Sequence, residues 1–511
     1  MSILEKPECE LAYYQNIIDD LKKKGNVPVA VGCVDQQKPY FIFKITEKFN
    51  KKLIITGTEI RARELYEDYR AIDKNTYYYP AKDFIFYSAD IRSNEVVRER
   101  LEVINHLIND REATVITTID GCMDKLVPQD IFRKNTINIK TGDDIDIKVL
   151  SERLLNAGYE NAGQTEHSGQ FAIRGGIIDI FPVNMENPCR IELWDTEVDA
   201  MRLFDAESQR SIENLEEISI YPACELVLTA EERQEGIKRI LKEADKVSAK
   251  LRKEMKTEEA HRTKSAAAQI AEEAGELGIS AGLDAYLSYF CEERVSLLDY
   301  FNRENTVIFV DELARSIERG MVTETEFSES MKQRLEKGYI LPGQMRELFS
   351  CKEILAKMEK MACISLVALD LKNSHVDIKE KFVIDSKTVN PYNNSFDLLV
   401  KDLTRYKKNG YRVILLSGSR TRAKRLAEDL MAEELNAFYS EDFDHEVKPG
   451  EIMTGYGKIK KGYEYPLLKF VVISESDIFG SEKKKKKHHR TYEGEKIASF
   501  TDLNIGDYVV H

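Results

Sequence analysis

Residues 29–43 read VAVGCVDQQKPYFIF. A short apolar run, a glycine, a lysine and a second apolar run are the parts of a phosphate-binding loop. Such a loop needs G-x-x-x-x-G-K-[ST]. Its glycines let successive backbone N–H groups face the phosphates, its lysine reaches the β- and γ-phosphates, and its hydroxyl binds Mg²⁺. Gly32 and Lys38 keep that spacing. Gln37 stands where the second glycine belongs, and its Cβ resists the positive φ that glycine allows. Pro39 stands in place of Ser/Thr and has neither hydroxyl nor N–H. Asp35 adds negative charge beside the polyphosphate position. The strand IFVDE (308–312) ends in Asp311 and Glu312, as an Mg²⁺-binding strand would. Without a working loop these read as structural acids closing a strand. The dipeptide Gly-Arg never occurs, so a Q-x-x-G-R-x-x-R arginine finger is absent. We expect an NTPase-like scaffold without NTPase activity, with no cofactor at Gly32, Gln37, Lys38 and Pro39, no catalytic residue and no metal site.

A second constellation points to binding. In CRIELWDTEV (189–198) strand alternation sends Ile191 and Leu193 one way and Arg190, Glu192 and Trp194 the other. Trp194, the only tryptophan, therefore shares a face with Arg190. Arg174, just before the Gly175-Gly176 turn, can join them. Tryptophan and arginine dominate protein–protein hot spots. The pattern alone leaves a second reading open, in which Trp194 packs beneath a neighbouring domain with Arg190 stacked on it.

The elements that must position these residues alternate along the chain. Residues 27–34, 53–57, 83–87 and 113–118 read as strands, with helices at 58–72 and near 94–108. Strands separated by helices of that length make βαβ units and a parallel sheet. The pattern changes near residue 140. A short helix at 149–158 precedes the strand-rich segments FAIRGGIIDIFP, CRIELWDTEVDAMRLFD and LEEISIYPA, an α+β insert. Thr229-x-x-Glu232 is a capping box opening charged helices to about residue 276. TVIFVDE (306–312), VALD and KFVIDS return to strand. Residues 395–480 form a second small α/β unit, with a helix at 395–408, strands at 412–418 and 470–475, and a helix carrying Arg420, Arg422, Lys424 and Arg425. That unit has no chemistry legible in its sequence.

At roughly 100–200 residues per domain, 511 residues make three or four domains. The net charge of −14 argues against the whole chain gripping a nucleic-acid backbone. The dense basic run KKKKKHHR (483–490) reads as a solvated linker. The eight cysteines lie scattered without C-x-x-C, which suits neither zinc nor a disulfide framework and fits a reduced cytosolic setting. No apolar run reaches the roughly 18 residues of a membrane span, and MSILEKPECELAYY lacks the pattern of a signal peptide. A cytoplasmic protein is expected.

The stretch GQFAIRGGIIDIFPVNMENPCRIELWDTEVDAMRLFDAESQRS (169–211) resembles the UvrA-binding domain shared by the repair protein UvrB and the bacterial transcription-repair coupling factors. The broken phosphate loop, and a tyrosine cluster (Tyr77-Tyr78-Tyr79) with no room for a long damage-binding hairpin, favour the coupling factors. VVISESDIFGSEKKKKK and LNIGDYVVH (503–511) resemble that family's third domain, linker and the start of its RNA-polymerase-interacting domain. The resemblance implies a degenerate RecA/helicase-like parallel-sheet domain with an α+β insert, followed by a small α/β domain. It implies UvrB-like parts at 1–134 and 223–385, the insert at 135–222, the third domain at 386–480, a linker at 481–498 and a truncated domain at 499–511. It places UvrA-binding residues at Arg174, Arg190, Trp194 and, more weakly, Arg202. The implied partners are UvrA and, through carboxy-terminal domains beyond this chain, RNA polymerase, DNA and an intramolecular masking contact. The implied role is a non-catalytic adaptor; the alternative is an ATP-dependent helicase of UvrB type with an unusual loop.

Overall fold

A computed structural model describes residues 2–21, 27–82, 94–109, 111–276, 283–369, 378 and 380–480. The strand expected at 83–87 and everything expected beyond residue 480 lie outside these residues. The amino-terminal part supplies β1 (Val29–Val31), β2 (Lys51–Thr56), β3 (Thr76–Tyr79) and β4 (Ala113–Thr118). Next come β5 (Ile137–Lys140), β6 (Glu160–Asn161), β7 (Gln170–Arg174), β8 (Ile177–Ile180), β9 (Cys189–Trp194), β10 (Glu197–Phe204), β11 (Ser211–Leu215) and β12 (Glu217–Ile220). After two long helices follow β13 (Thr306–Asp311), β14 (Ala362–Val367) and β15 (Lys381–Val383). The last unit holds β16 (Lys387–Thr388), β17 (Arg412–Ser417), β18 (Ala437–Tyr439), β19 (Ile452–Tyr456), β20 (Tyr463–Tyr465) and β21 (Phe470–Ser474).

The first sheet has seven strands in the order β15-β1-β14-β13-β2-β4-β3, every neighbouring pair parallel. Its central strands, LIIT of β2, ATVITT of β4 and TVIFVD of β13, are buried throughout, which is why they read as continuous β-branched runs. Strands from both sides of the insert share this one sheet, because β13 returns to pair with β2. The tyrosine cluster Tyr77–Tyr79 turns out to be the edge strand β3, a strand the sequence did not disclose.

The insert is a six-stranded sheet, β11-β10-β9-β8-β7-β6, antiparallel except at β6–β7, with a small β12–β5 ribbon. Ile178, Ile180, Ile191, Val198 and Met201 turn to one face and pack with Leu150 and Leu154 of the helix Ile147–Asn156. The opposite face carries Asp179, Arg190, Glu192 and Arg202 together with Trp194 and Phe204. Thr229 and Glu232 form the capping box that opens the helix Ala230–Lys253, which packs against the helix Thr257–Glu276. The third sheet runs β16-β20-β21-β17-β19-β18, with a parallel centre and antiparallel β20. Tyr463, Tyr465 and Phe470 of this sheet join Leu4, Ile17 and Phe41 in one apolar core, so the third unit is built onto the first.

Candidate functional site

The insert's polar face is set by cross-strand register. Asp179 on β8 lies opposite Arg190 on β9, which lies opposite Arg202 on β10. Arg174 on β7 pairs with Ile177 across the Gly175-Gly176 turn. A Cβ at Gly176 would stand a tight 3.1 Å from the carbonyl oxygen of Leu193. At the other end β9 and β10 are joined by the two-residue turn Asp195-Thr196, with Asp195 in the left-handed region at φ 59°.

Asp179 is the hub of the face, with its side chain only 1% exposed. Its Oδ1 accepts from Arg190 Nε at 2.7 Å and its Oδ2 from Arg190 Nη2 at 2.9 Å, a bidentate pair. Arg174 Nη2 also donates to Oδ2. The Arg190 guanidinium lies 4.4 Å from the centre of the Phe204 ring and donates to Gln209 Oε1 at 3.0 Å. Hydrogen bonding to Asp179 is the main cause that raises the Arg190 pKa above the ordinary arginine value. Gln209 sits at φ 58° in a loop closed by Ser208 N and Oγ donating to Asp205 Oδ1, at 2.7 and 2.6 Å. Arg202 forms a separate bidentate pair with Glu192.

Trp194 is 78% exposed. It neither packs beneath a neighbouring domain nor carries Arg190, which stacks on Phe204 instead. The arginines are less free than their sequence suggests. The Arg190 side chain is 16% exposed with most donors engaged, while that of Arg174 is 47% exposed. Sequence reasoning missed Asp179, Phe204, Asp205 and Gln209 as members of the face. All four lie inside the matched segment 169–211, but their roles depend on pairings between strands.

The loop at Gly32 is built differently from a phosphate cradle. Gln37 is helical, at φ −88° and ψ −31°, and Pro39 lies in the first turn of the helix Lys38–Ile45. Lys38 is buried, and its Nζ lies 2.5 Å from Asp311 Oδ1, 3.0 Å from Asp35 Oδ1 and 3.2 Å from Glu312 Oε1. Arg61 clamps the same acids, 2.9 Å from Asp311 and 3.0 Å from Asp35. Burial alone would lower the Lys38 pKa, but the carboxylates outweigh it and hold the ammonium above the usual lysine range. Burial likewise opposes the Asp35 charge, yet Lys38 and Arg61 bring its carboxyl below the ordinary value. The loop is tied to the segment between β15 and β16 by Ser386, whose hydroxyl donates to Gly32 O at 2.6 Å and accepts from Val34 N at 2.9 Å.

A cleft of about 1340 Å³ between the helix Asn94–Ile108 and the insert is lined by Arg98, Asn105, His106, Glu160 and His167, and by none of the candidate residues above. Among the described residues, no group of three His, Cys, Asp or Glu side chains is set to hold a metal ion. No helix among them is long and apolar enough to cross a membrane.

Residues 137–226 match the family described as UvrB interaction domain. The chain is 31% identical over 503 residues to the transcription-repair-coupling factor of Bacillus subtilis (strain 168), covering 98% of this chain and 42% of that protein. It is 30% identical over 486 residues to the transcription-repair-coupling factor of Staphylococcus haemolyticus (strain JCSC1435), covering 91% of the chain and 40% of the relative. The chain thus spans about two-fifths of the length of these curated relatives and is similar to them along nearly all of its own.

Proposed function

We infer, from kinship with the transcription-repair-coupling factors along nearly the whole chain, that this protein is a binding adaptor of transcription-coupled excision repair. Its insert face recruits UvrA to RNA polymerase stalled on damaged DNA. The observation that carries this reading is Trp194, 78% exposed at the end of the strand that holds Arg190, on a sheet that matches the UvrB interaction domain. An exposed indole and ordered guanidiniums on one sheet face have the composition of a hot spot. It offers apolar area at low entropic cost and directional donors at its edge.

The first sheet serves as a scaffold without nucleotide turnover. A nucleotide would have to strip Lys38 of Asp311, Asp35 and Glu312, then set its phosphates against those acids. The helicase alternative requires a lysine free for phosphate, and no observation favours it. Polymerase binding, DNA translocation and masking by a carboxy-terminal domain are part of the proposal for the longer protein. The setting is cytoplasmic. Gel filtration of this chain with UvrA of the same organism tests the reading. Co-elution without nucleotide is expected; separate elution of a folded chain contradicts it.

A further inference from the structure

The polar face of the insert is not a set of equal arginines. One buried carboxylate, Asp179, faces two guanidiniums, whereas Arg202 and Glu192 balance one another. Arg190 is built in. It spends Nε and Nη2 on Asp179 and Gln209 and lies on Phe204. Arg174 spends only Nη2, and its Nε and Nη1 make no hydrogen bond among the described residues. The Asp179 cluster therefore keeps one uncompensated positive charge, with its free donors on the arginine that is half-exposed.

We propose that Asp179 is the positioning residue of this face, the buried counter-ion that aims Arg174 and Arg190, and that the partner seats a carboxylate on Arg174. This rests on the reading of the insert as the UvrA-binding surface. Arg174 is the contact residue and Trp194, at the end of β9, the apolar anchor. Arg190 acts through the platform it forms with Asp179 and Phe204. A preformed guanidinium pair lowers the side-chain ordering cost of binding. The surplus charge makes the contact sensitive to salt, as expected of a half-exposed ionic contact. Arg202, already neutralised by Glu192, contributes little.

The test is a double-mutant cycle read by calorimetric titration with UvrA at low and high salt, beside melting curves of each variant. Arg174→Ala is expected to leave the melting temperature unchanged, weaken binding about tenfold and flatten its salt dependence. Asp179→Asn is expected to weaken binding at least as much. In Arg174→Ala/Asp179→Asn the two losses should not add, because Asp179 acts through the arginine. Additive losses mean Asp179 only supports the fold, and overturn the proposal. If Asp179→Asn does not fold, Arg190→Lys replaces it in the cycle; it keeps the charge but loses the bidentate bond. Trp194→Ala separates the two levels. If it weakens binding while Arg174→Ala does not, the positioning proposal fails and the adaptor reading stands. If neither weakens binding, UvrA sits elsewhere on the protein and the positioning proposal fails.

Discussion

Lys38 keeps the position of a phosphate-loop lysine but has a different occupation. An ammonium whose side chain is 1% exposed is tolerable only among counter-charges, and Asp311, Asp35 and Glu312 supply them. Removing the ammonium leaves Asp311 buried with Arg61 alone. Lys38→Met should therefore destabilise the chain by about 3 kcal/mol, the lower end of the range for breaking a buried pair. Urea unfolding measures this, and a loss below about 1 kcal/mol would show that the pair is expendable. Mg-ATP at millimolar concentration should not shift the melting curve of wild type. A shift that Lys38→Met abolishes would revive a nucleotide-binding reading. The failure of the loop motif was legible in Gln37 and Pro39. The pairs of Lys38 with Asp311 and Glu312 were not, because they join residues far apart in the chain.

At the scale of elements, alternation in CRIELW placed Ile191 inward and Arg190, Glu192 and Trp194 outward, as observed. Period-two patterning reports which face a residue takes but not its partner across the sheet. Asp179, Phe204 and Gln209 stayed hidden for that reason. The strand β3 was missed because three tyrosines in a row carry no alternation. The Thr229–Glu232 box was legible because capping needs only local spacing, and both of its hydrogen bonds form, at 2.9 and 3.2 Å. Thr229→Ala should cost about 1 kcal/mol of stability. Since this cap opens a helix outside the insert, UvrA affinity should be unchanged. Denaturation and titration of one variant check both halves, and a fall in affinity would tie this helix to the binding face.

Across the whole molecule, the third unit has no readable chemistry in its sequence, yet it shares a core with the first sheet. Polar contacts accompany that core. Arg412 pairs with Glu10 at 2.6 Å and Lys460 with Asp68 at 3.0 Å. At its centre Glu8 is fully buried and accepts from Tyr465 Oη at 2.7 Å. Burial pushes the Glu8 carboxyl up to about 8, against a weaker lowering by the hydrogen bond from Tyr465. The folded value lies above the ordinary 4.5, so the folded state holds the proton more tightly. The stability linked to this group is fully present below about pH 4.5 and is lost as the pH rises through about 8. Wild type should therefore lose melting temperature between about pH 6 and about pH 9 relative to Glu8→Gln. Parallel curves for the two proteins would remove Glu8 from the account.

The adaptor reading stands or falls on the exposed indole. The direct measurement is calorimetric titration of UvrA into wild type, Trp194→Ala and Met255→Ala, the last replacing an equally exposed apolar residue at a helix junction. The account predicts saturable binding by wild type and Met255→Ala, and an affinity about tenfold or more lower for Trp194→Ala at unchanged melting temperature. Equal affinity for all three would place UvrA elsewhere on the protein, and no binding by the folded wild type would contradict the adaptor function itself.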